Sequence, residues 1–261
     1  MYTAESYLIA RTADEALTHL RDDPKNAVIG GGVWMHLGSA SYSTLIDLSR
    51  LGLDEVRETA EGLSVGAMVP LRKAETDPLL RAYAGGVLAR AVGSIVGVQL
   101  RNAATFGGSV AGRFGFSDVI TALLALDAKV VCAGAGTMTL AEFLTAKPQR
   151  DIVLSLLLPP DGRRAAYETR RLTATDIGIL NVCLAQVPDG TWRVSIGARP
   201  EIAVRCEGAE AALATGDIDA ACAAAEALKY GSNPRGSAEY RRKISGALLR
   251  RAWEALSGGA K

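Results

Sequence analysis

The double proline Pro159-Pro160 divides the sequence into two parts with different patterns. It follows the apolar run 152–158, which predicts a buried strand, and proline cannot donate the backbone hydrogen bond that would continue a strand. Before the prolines, short apolar strands alternate with amphipathic helices. After them, a predicted hairpin over residues 179–196 precedes alanine-rich helices. We therefore predict an α+β protein with one domain over residues 1–160 and a second over residues 161–261.

Local signals indicate where several elements begin. Thr12 and Glu15 form a capping-box pattern, which predicts the start of the first helix. Asp77-Pro78 combines a capping residue with a proline at the first helical position. Ser117 or Asp118 can cap a further helix. Strands are predicted at residues 27–29, 44–48, 63–67, 129–132 and 152–158.

The charges of the chain are balanced, since 29 Lys and Arg residues oppose 28 Asp and Glu residues. This balance gives no electrostatic footprint for nucleic acid, and we interpret the basic residues Arg241-Arg242-Lys243 and Arg250-Arg251 as a solvated helix face. No apolar run approaches the ~18 residues that a membrane-spanning helix requires. The N-terminal residues carry charges where a signal peptide would have its apolar core. We therefore expect a cytoplasmic protein that neither spans a membrane nor binds nucleic acid.

The spacing of cysteine and histidine argues against the common metal centres. No pair of cysteines has the C-x-x-C spacing that is typical of zinc ribbons and iron–sulfur clusters. The two histidines are far apart in the sequence, which argues against a catalytic zinc site. We therefore expect no metal site in this chain and interpret the four cysteines as small buried hydrophobic residues: Cys132, Cys183, Cys206 and Cys222.

Two segments place consecutive glycines beside a predicted strand: Ile29-Gly30-Gly31-Gly32-Val33-Trp34-Met35 and Thr105-Phe106-Gly107-Gly108-Ser109. Glycine lets another group approach the main chain closely, and successive backbone N–H groups can form a concave anion site. Neither segment contains Lys or Arg, so binding would depend on backbone dipoles, with hydroxyl donors from Thr105 and Ser109. The spacing matches neither G-x-G-x-x-G nor the P-loop motif. The pair predicts a diphosphate site of another kind, although either glycine cluster alone is also typical of a tight turn.

Several polar and aromatic side chains near these segments have two possible roles. The Asp118 carboxylate could accept hydrogen bonds from ribose hydroxyls or serve only as a helix cap. Trp34 could stack on an aromatic ring of a ligand or lie in the core. Arg101 and Asn102 could fix the second segment through hydrogen bonds to backbone carbonyls, or be solvated. The sequence leaves these alternatives open.

Four segments, in this order along the chain, are similar to the motifs of one family. Residues 29–35 resemble its Ala-Gly-Gly-Thr-Asp-Leu-like loop, and residues 99–109 resemble its R-N-x-A-T-x-G-G-N segment. Residues 117–128 match its S-D and L-L-A-L-D-A stretches, and residues 235–242 resemble its R-G-S-x-x-Y-R end. The chain therefore resembles the FAD-binding (medium) subunit of molybdenum hydroxylases, the flavoprotein family of xanthine dehydrogenase and carbon monoxide dehydrogenase.

The resemblance implies both a fold and a function. The fold would be a two-part FAD-binding domain of the vanillyl-alcohol-oxidase type, followed by a small C-terminal domain with a three-stranded antiparallel sheet and helices. The chain would be an FAD-dependent oxidoreductase subunit in a hetero-oligomer, taking electrons from the [2Fe–2S] clusters of one partner subunit. A second partner with a molybdenum cofactor would oxidise the substrate, and the electron acceptor would be NAD or a quinone.

The resemblance also implies which residues surround the cofactor. The backbone amides of residues 30–35 and 105–109 would hold the FAD diphosphate, and Asp118 would bind its ribitol or ribose part. Arg171 would place a basic group near the flavin, and Leu154 would lie in a strand against the cofactor. No catalytic side chain is predicted. The predicted cofactor-binding residues are Ile29, Gly30, Gly31, Gly32, Val33, Trp34, Met35, Thr105, Phe106, Gly107, Gly108, Ser109, Asp118, Leu154 and Arg171.

Three residues depart from the family pattern. Val33 and Trp34 stand where the family has Thr and Asp, and Ser109 stands where it has Asn. If the missing side chains contribute to binding, FAD affinity would be lower; if only backbone N–H groups act, little would change. Two other functions therefore remain: a stand-alone flavin oxidoreductase, and a non-catalytic assembly or nucleotide-sensing subunit that no longer holds FAD.

Overall fold

The computed structural model describes residues 1–258, and its first sheet is parallel. The strands are β1 (Thr3–Ile9), β2 (Ala27–Ile29) and β3 (Ser41–Asp47), with α1 (Ala13–Asp22) and the short α2 (Val33–His36) between them. The strand order is β1-β3-β2. The predicted cap of α1 is confirmed, because the Thr12 hydroxyl accepts a hydrogen bond from the Glu15 amide at 3.1 Å. Ile46 and Ala16 pack in the small core between this helix and the sheet.

The second sheet has five antiparallel strands and carries most of the helices that surround the site. Its strands are β4 (Val56–Thr59), β5 (Gly62–Gly66), β6 (Lys129–Cys132), β7 (Gly136–Thr139) and β8 (Val153–Leu158). Its helices are α3 (Leu71–Thr76), α4 (Pro78–Ala82), α5 (Val87–Gly93), α6 (Val98–Ala103), α7 (Phe106–Ala111), α8 (Asp118–Ala125) and α9 (Leu140–Thr145). The strand order is β4-β5-β8-β6-β7. Asp77 caps α4 by accepting hydrogen bonds from the Leu79 and Leu80 amides, as its Asp-Pro sequence predicts.

The third sheet is antiparallel and forms the C-terminal part. Its strands are β9 (Arg164–Arg170), β10 (Leu180–Gln186), β11 (Trp192–Gly197) and β12 (Val204–Arg205), followed by α10 (Glu207–Ala214), α11 (Ile218–Glu226) and α12 (Ala238–Ser257). The order is β12-β11-β10-β9. The expected sheet of three strands is therefore present as three long strands, and the two-residue β12 adds a fourth at its edge. The predicted boundary between residues 160 and 161 falls in the connection between β8 and β9.

Helix α8 joins the N-terminal and C-terminal parts of the chain. All eight of its residues are buried, because it packs against α5 and α7 on one side and against β10 and β11 on the other. Successive side chains of β10 pack on opposite faces of the sheet. Cys183 lies in the core that contains α8, and Leu184 lies in the core that contains α12. The Ser195 hydroxyl of β11 donates to the Thr121 carbonyl of α8 at 2.5 Å. The helix that begins at Ser117-Asp118 is thus held between two sheets.

The five strands predicted between residues 27 and 158 are confirmed, with ends that shift by up to three residues. Strands β1, β4, β7 and β9 were not predicted from the sequence. In β1, only Leu8 is even half-buried, so this strand lacks the apolar alternation that marks a half-buried strand. It is held instead by its parallel ladder with β3.

Arg241 corrects the interpretation of the C-terminal basic residues as a solvated helix face. Its side chain is fully buried, whereas Arg242 and Lys243 are exposed. The guanidinium donates to the Ile179, Ala198, Gly231 and Gly236 carbonyls and to Asn233 Oδ1. A planar group with five donors satisfies these carbonyls together, which explains why an arginine is buried here.

The four cysteines are confirmed as buried and free of disulfides. Within residues 1–258, no helix is both long enough and apolar enough to cross a membrane. The same part of the chain contains no cluster of three or more His, Cys, Asp or Glu side chains that could hold a metal ion.

Candidate functional site

A deep cleft lies where the three parts of the fold meet. Its volume is about 710 Å³, within the usual range for small-molecule and cofactor sites. Both glycine segments line it, as does the loop 112–117 before α8, and Arg171, Asp176 and Ile177 reach it from the C-terminal part. The structure therefore brings together the two segments that the sequence singled out.

The first glycine segment supplies free hydrogen-bond donors to the cleft. Strand β2 ends at Ile29, and Gly32 adopts a left-handed conformation with φ of +66° before α2 begins. This positive φ favours glycine, because a side chain would be strained there. No described residue accepts a hydrogen bond from the backbone N–H groups of residues 30–35. These amides are therefore available to an anionic ligand, as expected for successive N–H groups at such a turn.

The second segment supplies fewer donors than the sequence predicts. The Phe106 and Gly107 amides donate to the Val69 and Ala67 carbonyls at 2.9 and 2.8 Å. The Gly108 amide donates to Thr105 Oγ1, and both the amide and the hydroxyl of Ser109 donate to the Thr105 carbonyl. These bonds form because Thr105 caps α7 and the segment bridges to Pro70. Of this segment, only the Thr105 amide has no acceptor among residues 1–258.

The glycines of the two segments have different spatial roles. A Cβ on Gly30 would stand 2.6 Å from Thr105 Oγ1, so this glycine lets the two segments touch. A Cβ on Gly107 would stand 2.4 Å from the Ala67 Cβ, so that glycine is required by packing. Gly108 is exposed to the cleft, and its only close neighbour would be Thr105 Oγ1 at 2.8 Å. A side chain at Gly108 would therefore extend into the cleft.

Asp118 lies in the wall of the cleft and is not the helix cap. The cap of α8 is Ser117, whose hydroxyl accepts from the Ile120 amide at 3.1 Å. Asp118 is only 6% exposed, and its Oδ1 accepts from the Tyr167 hydroxyl at 2.5 Å and from the Arg171 guanidinium. Burial raises the pKa of Asp118 above its ordinary value, although Arg171 and Tyr167 both act in the opposite direction.

Arg171 links the cleft to three neighbouring segments. It follows β9, its side chain is 9% exposed, and it pairs with Asp118. It also donates to Ser94 Oγ at 2.9 Å and to the Asp176 carbonyl at 2.5 Å. Asp176 is held in turn by an ion pair with Arg235, at 3.1 Å between Nε and Oδ1. The C-terminal part of the chain therefore contributes a fixed cation to the cleft.

Trp34 packs against two phenylalanines that the sequence analysis did not identify. Its ring centroid lies 5.3 Å from that of Phe114 and 4.9 Å from that of Phe116. The two phenylalanine rings stack on each other at 5.2 Å with an interplanar angle of 14°. Trp34 is 40% exposed, so it is not a core residue, and all three rings line the cleft. The sequence feature that could have identified these two residues is the pair of aromatic side chains at the alternate positions 114 and 116.

Three of the predicted residues do not line the cleft. Phe106 is fully buried in the core, and Ile29 and Leu154 lie behind the cleft wall. The Leu154 carbonyl accepts from the Ala67 amide at 2.9 Å, while the preceding residues 151–153 reach the cleft. The predicted residues that do line it are Gly30, Gly31, Gly32, Val33, Trp34, Met35, Thr105, Gly107, Gly108, Ser109, Asp118 and Arg171.

Arg101 is buried rather than solvated, but its hydrogen bonds go to the loop at Ile95 and to Glu75 and not to the second glycine segment. It donates to the Ile95 carbonyl, and its Nε lies 2.9 Å from Glu75 Oε2. Asn102 is exposed. Ile95 and Val96 line the cleft but carry no recognisable sequence signal, since they lie in an irregular loop.

Comparison with known families matches nearly the whole chain. Residues 2–161 match the family described as the FAD binding domain in molybdopterin dehydrogenase, and residues 165–256 match the CO dehydrogenase flavoprotein C-terminal domain. The chain is 27% identical to the 6-hydroxypseudooxynicotine dehydrogenase complex subunit alpha of Paenarthrobacter nicotinovorans, over 94% of this chain and 92% of that protein. It is 25% identical to the carbon monoxide dehydrogenase medium chain of Hydrogenophaga pseudoflava, over 85% and 84%.

Solved structures share the fold over nearly the whole chain. A chain of carbon monoxide dehydrogenase from Hydrogenophaga pseudoflava superposes with a TM-score of 0.86 at 24% identity, covering 97% of each chain. A chain of quinoline 2-oxidoreductase from Pseudomonas putida 86 gives 0.86 at 22% identity, covering 98% of this chain and 97% of that one. The fold and the two family matches agree with the cleft geometry, which offers free amides and open space for a dinucleotide. The chain therefore belongs to the FAD-binding subunits of the molybdenum hydroxylase family, the oxidoreductase flavoproteins related to xanthine dehydrogenase and carbon monoxide dehydrogenase.

Proposed function

We propose that this chain is the electron-transfer subunit of a molybdenum-containing hydroxylase complex. In this proposal it works between a partner subunit with [2Fe–2S] clusters and an acceptor such as NAD or a quinone, while a molybdenum-cofactor subunit oxidises the substrate. The observation that carries it is the cleft that is lined both by the free amides of residues 30–35 and by the buried Asp118–Arg171 pair. When bound, FAD supplies the redox chemistry, and the protein supplies binding and orientation.

Backbone amides are the proposed ligands of the FAD diphosphate. The N–H groups of residues 30–35 have no other acceptor among the described residues, and the Thr105 amide and hydroxyl are the donors that the second segment still offers. Gly107 and Gly108 shape this region, the first through packing and the second by leaving space. Because the donors are backbone groups, Val33 and Trp34 can replace the family's Thr and Asp without removing them.

Side chains that line the cleft are the proposed ligands of the rest of the cofactor. Asp118 is placed to accept hydrogen bonds from ribitol or ribose hydroxyls, and Arg171 provides positive charge beside it. Trp34 offers a partly exposed aromatic face for stacking. Ile29, Phe106 and Leu154 act indirectly, by supporting the segments that line the cleft.

The proposed partners follow from the relatives. One relative is named as a subunit of a dehydrogenase complex, and another as a medium chain of carbon monoxide dehydrogenase. We propose that residues 1–160 form the FAD-binding domain and residues 161–261 form the C-terminal domain of the same kind of subunit.

A spectrum and a capture experiment together test the proposal. The purified chain should show a flavin spectrum, and the cofactor released by denaturation should be FAD. The tagged chain, expressed with its neighbouring genes, should co-purify with iron–sulfur and molybdenum subunits. A yellow chain that reduces an acceptor without partners would favour the stand-alone oxidoreductase, and a chain that stays colourless after incubation with FAD would favour the assembly or sensing role.

A single substitution tests the assignment of Asp118. Asp118→Asn removes the charge with little change in volume, and should weaken FAD binding by roughly tenfold, because hydrogen bonds to charged groups are the stronger class. Isothermal titration with FAD measures the change. The control is Asp54→Asn, since Asp54 is exposed and does not line the cleft.

A further inference from the structure

We propose that Tyr167 is a positioning residue for the cofactor site, holding one oxygen of the Asp118 carboxylate so that the other remains open to the cleft. The inference rests on the proposed function, because it assumes that Asp118 binds FAD hydroxyls. Tyr167 belongs to β9 in the C-terminal part and does not itself line the cleft. It would therefore act through Asp118, without touching the cofactor.

The hydrogen bonds of Asp118 are unequal between its two oxygens. Oδ1 accepts from both the Tyr167 hydroxyl and the Arg171 guanidinium. No other residue of the described chain donates a hydrogen bond to Oδ2, and the backbone N–H of Asp118 itself is the one further protein donor to this carboxylate. Since Asp118 lines the cleft and Oδ1 already accepts from two side chains, Oδ2 is the oxygen left for a ligand hydroxyl.

Tyr167 is well suited to hold the carboxylate in one orientation. It is 3% exposed and pairs with Cys183 across the β9–β10 ladder, within the core that surrounds α8. A ring packed in this way cannot swing to another rotamer without opening the core. Burial raises the pKa of Tyr167 well above its ordinary value, so its hydroxyl stays a donor at neutral pH.

Arg171 alone does not provide the same constraint. Its guanidinium is shared between Asp118, Ser94 and the Asp176 carbonyl, and it lies in the connection after β9 rather than within the strand. Charge attraction favours ionised Asp118 but is less directional than a hydrogen bond from a buried phenol. Tyr167 therefore defines the orientation, and Arg171 supplies the charge.

The test compares Tyr167→Phe with Tyr83→Phe in the full-length chain. Each substitution removes one hydroxyl. Tyr83 packs against the same core and donates to the Pro159 carbonyl at 2.9 Å, but it does not line the cleft or contact Asp118. FAD affinity should fall in Tyr167→Phe by at most the roughly tenfold loss expected for Asp118→Asn, because Tyr167 acts only through that carboxylate, and should stay unchanged in Tyr83→Phe.

The pH dependence of FAD binding provides a second measurement, because a substitution that only destabilises the fold would leave it unchanged. Tyr167 and Arg171 are the titratable side chains that contact Asp118 within the described structure, and both favour its ionised form. Removing the phenol raises the pKa of Asp118. The loss of FAD affinity on acidification should therefore begin at a higher pH in Tyr167→Phe than in the natural chain.

The outcomes separate this inference from the proposed function. If Asp118→Asn weakens FAD binding and Tyr167→Phe does not, Asp118 keeps its role and the positioning inference is wrong. Equal losses in Tyr167→Phe and Tyr83→Phe, with no difference in pH dependence, would also overturn it, because both residues would then be structural. If Asp118→Asn binds FAD normally, the assignment of Asp118 fails and this inference fails with it.

Discussion

Gly31 and Ala103 bring the two glycine segments into direct backbone contact. A Cβ on Gly31 would stand 1.6 Å from the Ala103 carbonyl oxygen, a separation that no pair of nonbonded atoms can adopt. Gly31 follows β2 of the parallel sheet, and Ala103 ends α6 just before the second segment. The shape of the cleft therefore depends on the absence of a side chain at Gly31, in addition to any contact that its backbone amide makes with a ligand.

Gly31→Ala should destabilise the protein and reduce its FAD content together. The added methyl group forces apart two backbones, which cannot yield as a flexible side chain can, so we expect a loss of about 2–3 kcal/mol in the free energy of unfolding. Urea denaturation followed by circular dichroism measures it. Gly258→Ala is the matched control, because a Cβ there meets nothing within 4 Å. An unchanged midpoint for Gly31→Ala would refute the contact.

Gly108→Val should abolish FAD binding and leave the chain folded. A Cβ at this position would closely approach only the Thr105 hydroxyl, and the methyl groups of valine would extend from it into the cleft. The ratio of flavin absorbance to protein absorbance gives the FAD content, and the unfolding transition of the cofactor-free chain reports the fold. Normal FAD content in this variant would show that the diphosphate lies elsewhere.

Asp127 should be important for the attachment of the C-terminal part. It accepts from Arg193 Nε at 2.8 Å and Arg205 Nη1 at 2.9 Å, and it also pairs with the buried Arg163 at 3.3 Å. Asp127→Asn removes the charge and should cost about 1–3 kcal/mol in urea unfolding. The backbone here has φ of +49°, a conformation that costs less free energy for Asn than for Ala, so Asp127→Ala should cost roughly 1 kcal/mol more.

The control for Asp127 is Glu5→Gln, a charge removal on the exposed strand β1. The free energy of unfolding of Glu5→Gln should stay within about 0.5 kcal/mol of that of the natural chain, as is usual for surface changes. Equal stability of Asp127→Asn and Glu5→Gln would mean that the three arginines find other acceptors.

The four cysteines should be unreactive in the folded protein. Burial raises the pKa of Cys132 to about 11, and it also raises the pKa values of Cys183, Cys206 and Cys222. Because the thiolate is the reactive form, little reaction with a disulfide reagent is expected at about pH 8 in the native state. Denaturation should expose all four thiols to the reagent. A thiol that reacts fast before denaturation would contradict the buried positions.

The local elements could be predicted because their signals lie in neighbouring residues. The caps at Thr12 and Asp77 are short-range hydrogen bonds, and the apolar runs of β6 and β8 identify strands that must be buried. β1 could not be found in this way, because it has almost no buried face. Arg241 was misassigned because a basic residue in a charged run gives no sign of the carbonyls that surround it.

The sequence by itself determined the family, the two glycine segments and most strands, since these depend on the order of neighbouring residues. Only the tertiary structure decided which amides are free, because the partners of Phe106 and Gly107 come from Val69 and Ala67. It also decided that Asp118 meets Tyr167 and Arg171, which lie 49 and 53 positions further along the chain. Hydrogen bonds over such separations are fixed by how the sheets pack around α8, and no local pattern records that packing.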